Sequence, residues 1–424
     1  MTRTNKKIAL IGLISILVTS SFLTFYLGRL STNYCKSFKP GFSRTGENSI
    51  LDQTKVSPGY TLFTTFGIAK KTTKEEQRVY LIDMNGKLVH SWQTSYPHFY
   101  AKMKKNGNLI VSQMSPESKK FKWITSPLIQ ELNWEGQVVW GYQNNLQHHD
   151  FDILPNSNLA MLIYQKVPSE IAALVKGGII KSNDNEDVYS DSIIEVNNKG
   201  EIVWQWDMYK HLNPQTDILG DSDLHSDWTH SNSIQYLEKD PIKEEEAYLI
   251  SVRNLSFIAI ISKKDGEIIW RSKAGSFDHQ HDATYLENGN ILVFDNGFDI
   301  HSKTEALLGS RVSEINPKTD EIVWQFKGDN PLTQSHFFNS VLGGAQKLKN
   351  GNILITLGTN GELLEVTPDK KIVWDYINPY VLDSDPGEFA INYIFKARRI
   401  YEDDIDWPAK LDQPIDEIPF FCKI

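Results

Sequence analysis

Cysteine is almost missing from this sequence: Cys35 and Cys422 are the only two among 424 residues. That excludes a disulfide-stapled scaffold and a cysteine-ligated metal cluster. The two thiols either stay unpaired or, in an oxidising compartment, pair where the termini meet. A basic surplus is missing too. Lys and Arg number 44 against 53 Asp and Glu, a formal net charge of -9 with an isoelectric point near 5.7, so nucleic acid and other polyanions are not expected as partners. Neither GxxxxGK[ST] nor GxGxxG occurs, so no cradle for a nucleotide is written in the chain and no cofactor is expected. Convincing amphipathic helices are also absent.

Only one long apolar run is present. Ile8 to Gly28 follows Arg3, Lys6 and Lys7, and a run of about 20 residues fits a membrane span better than the shorter core of a cleavable signal. The basic flank orients residues 1–7 toward the cytoplasm. Thr32, Asn33 and Tyr34 before Cys35 lack the small side chains of a lipoprotein site. The reading is an uncleaved transmembrane signal anchor over 8–28, with the rest on the periplasmic or extracellular side; a cleaved signal is the alternative. Residues 29–58 read as a tether and 403–424 as a C-terminal extension, around a domain spanning 59–402.

What fills that domain is a repeat. NGKLVHSW, EGQVVWGY, KGEIVWQW, DGEIIWRS, TDEIVWQF and DKKIVWDY each place a turn before an apolar strand. The fourth strand position is His90 in the first copy and Trp140, Trp204, Trp270, Trp324 and Trp374 in the others, at intervals of roughly 40 to 70 residues, one supersecondary unit each. Between them stand hairpins around Asn106, Asn156, Asn288 and Asn350, whose Asn and Gly residues supply the backbone of tight turns. Each unit reads as four strands. Six such units predict an all-β, six-bladed β-propeller, with the repeated Trp packed between blades. The first unit lacks an inner strand, and Asn392 to Ile400 is expected to supply it and close the ring.

In such a ring the inner strand of each unit lines the channel. Aligning those strands on Leu154, Leu237, Leu286 and Leu348 puts His149, Asn232, His281 and Gly343 at one level, with Gln147, His230, His279 and Val341 two residues earlier and pointing the same way. The stretch Phe277 to Gly297 condenses the pattern, since its hairpin brings His279 and His281 to the edge that carries Asp295 and Asn296. Loops on the same face add Arg253 and Arg311, while Asp227 and Trp228 precede His230 and His336 precedes the last inner strand. Imidazoles move protons or attack as neutral nucleophiles near neutral pH, and a guanidinium holds two oxygens of a tetrahedral anion. Any one of these histidines can equally be a structural residue bonded to a neighbouring loop; the convergence points to an anion-processing pocket. No metal is assigned. His148 and His149 should face opposite ways on a strand, and the acidic loops Asp184 to Asp191 and Asp221 to Asp227 follow no calcium-loop pattern, although His149, His230, His279 and His281 could share an ion.

Seven motifs together carry a resemblance to a known family: GYTLF from Gly59, HHDFDILPNSN from His148, DWTHSNSI from Asp227, SVRNLSFIAII from Ser251, HQHDATYLENGNILVFDNG from His279, SRVSEINP from Ser310 and GGAQKLKNGNILIT from Gly343. The chain resembles the arylsulfotransferase family, the bacterial arylsulfate sulfotransferases, over residues 59–402. The resemblance implies a six-bladed propeller that moves a sulfuryl group from an aryl sulfate to a phenolic acceptor through a sulfohistidine, without a nucleotide sulfate donor. It implies His230, His281 and His149 as active-site histidines. The nucleophile is His336 by chain order or His281 by local match. The family arginine is expected soon after the histidine of the fifth unit, where this chain has Asp299 and His301; Arg311 and Arg253 are the candidates. Asn232, His279 and Asn296 complete the expected substrate-binding set. A homodimer stays open. The competing reading is a non-catalytic, membrane-anchored propeller that binds a glycan or an envelope protein; a quinone-dependent dehydrogenase is a third, weakened by having only six units.

Overall fold

In the computed structural model, the described residues are 48, 50–66, 77–120, 124–180, 187–298, 309–328, 331–380, 392–408 and 411. The anchor expected over 8–28, both cysteines, Asp299 and His301 lie outside them. Among the described residues no helix is long and apolar enough to cross a membrane.

Six four-stranded antiparallel sheets make up an all-β, six-bladed propeller with few helices. Its innermost strands, from the first blade to the sixth, are Ile394–Ile400, His98–Met103, Gln147–Ile153, Ser231–Leu237, His281–Tyr285 and Gly344–Lys347. The first blade takes that strand from the far end of the chain, and Tyr60 pairs with Ile400. Its other three strands are Tyr60–Thr65, Arg78–Ile82 and Leu88–Gln93.

The hairpins form where the Asn-Gly-Asn turns foretell. At Asn288-Gly289-Asn290, the Asn288 side-chain oxygen accepts the Asn290 N–H at 3.0 Å and Gly289 takes φ of 85°. The third blade has Ser157 at that point, forced to φ of 67°, a conformation uncommon for residues other than glycine.

The repeated Trp is a strut between blades. On the fourth strand of each blade, its indole N–H reaches into the turn before the fourth strand of the next blade. Trp140 donates to Asn198 O, Trp204 to Lys263 O, Trp270 to Asp320 Oδ1 and Trp324 to Pro368 O, at 2.8 to 3.2 Å. Trp374 carries the same bond from the sixth blade to Met84 O of the first, at 2.9 Å. In the first blade His90 substitutes, with Nε2 2.9 Å from Trp134 O and its ring stacked on Trp134 at 3.9 Å.

A buried charge cluster crosses the channel. Lys396, on the innermost strand of the first blade, is 2.7 Å from Asp150 of the third and 3.2 Å from Asp282 of the fifth. Arg398 adds a two-pronged bond to Asp282 at 2.6 and 3.0 Å. Gly344 of the sixth blade sits so close that a Cβ there would collide with the Asp282 carboxylate, and the next N–H, of Ala345, donates to it at 3.0 Å. These cations hold the Asp282 carboxyl well below the usual range despite burial, which alone would raise it.

At the channel mouth the inner strands leave regular geometry. Register shifts interrupt the first hairpin of the second, third, fourth and fifth blades. His149, His230, His279 and Asp282 take φ of 51°, 49°, 54° and 55°. Such bulges re-aim side chains, and left-handed backbone outside glycine costs on the order of 1–3 kcal/mol. One element had no precedent in the repeat: a short parallel pair, Gly177–Ile179 with Leu219–Leu224, built from the long connections before the third strand and after the fourth strand of the third blade.

Candidate active site

A cavity of about 630 Å³ opens at the channel mouth. One side is polar, with His149, His230, His281, Arg253, Asn254, Asp223 and Asp227; the other is apolar, with Phe66, Phe99, Met114, Leu342 and Phe395. The phenyl rings form a cluster, Phe66 to Phe99 at 4.8 Å and Phe99 to Phe395 at 5.5 Å between centroids. Phe99 is also 5.7 Å from the His149 ring, where the two sides meet.

His281 is held in one tautomer. Asn296 spends both amide hydrogens on the carbonyls of Asn339 and Leu342, at 2.8 and 2.9 Å. Its Oδ1 therefore faces His281 Nδ1 at 2.7 Å as an acceptor, and the His279 carbonyl is a second acceptor at 3.1 Å. Nδ1 must carry the proton, so Nε2 keeps its lone pair. Burial, then the charge of Arg253, pushes the His281 pKa down to about 3, so the ring is neutral at physiological pH.

His230 donates from Nδ1 to Asp227 Oδ2 at 2.5 Å, and a quarter of its side chain (26%) stays exposed to the cavity. Its ring meets that of His149 edge to face, 4.7 Å between centroids. Burial, then neighbouring His230, His148, His281 and Arg253, lowers the His149 pKa well below its ordinary value. Arg253 is the cation of the group. Its Nη1 donates to Asp223 at 3.0 Å and to Asn254 at 2.5 Å, which leaves Nε and Nη2 without a hydrogen bond among the described residues.

The other expected site residues do not line the cavity. His279 has both ring nitrogens engaged, Nδ1 by Asp278 at 2.5 Å and Nε2 by Asp223 at 3.0 Å. Burial alone would lower its pKa, but the two carboxylates outweigh it and raise it. Asn232 is buried and donates to Gln280 O at 2.8 Å. Asn296 acts behind His281. Arg311 is bound to Asp295 through Nε at 2.7 Å and to Ser276 O at 3.2 Å. His336, in the short helix Pro331–Phe337, has Nε2 2.6 Å from Glu362, whose hydrogen bond raises its pKa.

Two assumptions about strand alternation need correction. His279 and His281 do not face the same space, because His279 lies in a bend at φ of 54° before the strand His281–Tyr285 begins. His148 and His149 do not face apart, since their Nδ1 atoms are 2.8 Å from each other. Asp223, which anchors both Arg253 and His279, was missed because it belongs to the parallel pair rather than to a blade. Phe99 was legible. It stands five residues before Lys104, the position that matches Leu154 in the hairpin alignment, and so at the level of His149. Among the described residues no group of three or more His, Cys, Asp or Glu is arranged to hold a metal ion.

Fold and pocket together define a class: a six-bladed propeller with three imidazoles, of His149, His230 and His281, gathered with one guanidinium at the channel mouth. The chain belongs to the arylsulfotransferase (ASST) family, whose model matches residues 46–276, more than half of its length. That segment includes His149, His230 and Arg253 and ends before His281. Among solved structures, a protein of unknown function from Bacteroides caccae is similar at 14% identity, covering 80% of this chain and 98% of that one, with a TM-score of 0.46. Virginiamycin B lyase from Staphylococcus aureus is similar at 11% identity, with 84% and 99% covered and a TM-score of 0.41. The Dos1 propeller is similar at 9% identity, with 79% and 75% covered and a TM-score of 0.38. No curated protein matches the chain.

Proposed function

We propose that this protein transfers a sulfuryl group from an aryl sulfate to a phenol, without a nucleotide sulfate donor, and that His281 is the nucleophile. The observation that carries the reading is the Asn296–His281 bond, which leaves a neutral imidazole with a lone pair on Nε2 in the same cavity as Arg253 and His230. Nε2 attacks sulfur, an N–S bond forms and the S–O bond to the aryl group breaks. The departing phenolate takes a proton from His230 Nε2, whose imidazolium is stabilised by Asp227. Arg253 faces the sulfuryl oxygens with its unengaged Nε and Nη2. The acceptor phenol then runs the route in reverse: its oxygen attacks sulfur, the N–S bond breaks, and its proton passes to an imidazole of the pocket. The phenyl cluster receives the aromatic ring, so the cavity is polar where the sulfuryl group sits and apolar where the ring sits.

In this reading His336 is not the nucleophile, because it does not line the cavity that holds Arg253, His230 and His281. The anchor proposed for 8–28 puts the reaction on the periplasmic or extracellular side, which accessibility of the folded domain to protease in intact cells would test. The activity is tested by incubating the protein with an aryl sulfate and a phenol acceptor. Phenol release that depends on His281 is expected. Tight binding of the aryl sulfate with no phenol release anywhere from about pH 6 to about pH 9 would make this a binding propeller instead.

A further inference from the structure

Behind His149 lie two fully buried groups that this reaction does not use. His148 Nδ1 is 2.8 Å from His149 Nδ1, and His148 Nε2 is 3.2 Å from Asp191 Oδ1. The His148 ring is stacked on Tyr164 at 4.0 Å, which fixes its plane. The second oxygen of Asp191 accepts the Thr229 hydroxyl at 2.7 Å and the Ser231 N–H at 2.5 Å. Burial would raise the Asp191 pKa, but these bonds and His148 lower it, so the group is a carboxylate at neutral pH.

A carboxylate facing His148 Nε2 requires a proton on that nitrogen, since a bare one would set a lone pair against a buried negative charge. The contact has ion-pair distance without hydrogen-bond alignment, and neither atom has another hydrogen-bond partner among the described residues. Neutral imidazole carries one proton, so His148 Nδ1 is bare and accepts from His149 Nδ1. His149 is then bare at Nε2, which has no hydrogen bond among the described residues, in a ring that lines the cavity.

We propose that Asp191, His148 and His149 form a proton relay that makes His149 the base for the acceptor phenol. His149 Nε2 takes the phenolic proton while its Nδ1 proton moves to His148 Nδ1. The positive charge comes to rest on His148, against the Asp191 carboxylate. When His148 gives its proton back, His149 Nε2 releases the phenolic proton into the cavity that also holds His230, the ring that serves the leaving group. His148 and Asp191 are positioning residues, because neither reaches the cavity. The identity of the proton's source rests on the transferase reading; the arrangement of tautomers does not.

The test reads the ring protons of the full-length protein by NMR with isotope-labelled histidine and no substrate. His149 is expected to be protonated at Nδ1 and bare at Nε2. Asp191→Asn, whose amide donates to His148 Nε2, should turn both rings over and put the His149 proton on Nε2. Turnover should then fall roughly 100- to 10,000-fold with little change in KM for the donor. A proton on His149 Nε2 in the unsubstituted protein, a His149 tautomer unmoved by Asp191→Asn, or turnover retained in that variant would each overturn the relay. Should Asp191→Asn not fold, the unsubstituted protein's tautomers decide. Tautomers as expected without phenol release from aryl sulfates would support His149 as a base and overturn the transferase reading alone.

Discussion

Asn296 accepts the Nδ1 proton of His281 at 2.7 Å and is itself fixed by two carbonyls, so the lone pair on the other nitrogen of His281 is set by a carboxamide outside the cavity. Asn296→Ala removes that control and leaves the Leu342 carbonyl without its donor, while the Asn339 carbonyl keeps the Ser310 hydroxyl. The expected outcome is a loss of about 100-fold in kcat, because the attacking nitrogen is no longer held in line, and a stability loss of about 1–3 kcal/mol. Steady-state kinetics and urea denaturation measure the two separately.

Arg253 should not tolerate replacement by lysine. Nη1 is committed to Asp223 and Asn254 while Nε and Nη2 face the anion, a division that one ammonium cannot reproduce. Arg253→Lys is expected to lower kcat/KM for the donor by on the order of 100-fold. Arg253→Gln should also raise the His281 pKa, since the Arg253 charge is one of the causes that depress it. Histidine titration by NMR would show that shift.

Acid should destabilise the fold below neutrality. Burial holds His98 down to about 4 and His281 to about 3, against an ordinary 6.5. Well above pH 6.5 both are neutral in either state and neither costs the fold stability. As pH falls from there toward the folded values, the unfolded chain binds protons that the folded one refuses, at a cost approaching 1.4 kcal/mol per pH unit for each group. His279 works in the opposite sense: its raised pKa favours the fold below its ordinary value, and that contribution is lost as pH rises through the folded value. Urea midpoints should fall between about pH 7 and about pH 5, with a shallower slope for His98→Gln.

Much of this was legible in the chain because the propeller repeats itself. The Asn-Gly-Asn hairpins and the Trp at each fourth strand gave the register of the inner strands, and that register brought His149 and His281 to one level. The rule that failed was alternation. It presumes a regular pleat, and the positive φ at His149, His230 and His279 breaks the pleat at the level where the pocket forms. His279 was sent to its carboxylates and His148 turned toward His149 by those backbone turns, which no spacing in the sequence announces. Arg311 and His336 were chosen by loop face and chain order, and neither reveals that Asp295 and Glu362 would occupy them.

The charge cluster across the channel yields a stability prediction. Lys396→Met leaves the buried carboxylates of Asp150 and Asp282 without the ammonium between them. Breaking one side of such a cluster costs about 3–5 kcal/mol. Denaturant unfolding should detect it, and combining Lys396→Met with Asp150→Leu should recover part of the loss.

The most direct measurement is to mix the protein with an aryl sulfate in the absence of any phenol acceptor, quench in alkali to protect an N–S bond, and locate the added sulfuryl group by mass spectrometry of fragments. The account predicts one sulfuryl group on His281, formed as one equivalent of phenol is released and lost when a phenol is added. A sulfuryl group on His336, or phenol release with His281 never modified, would contradict it.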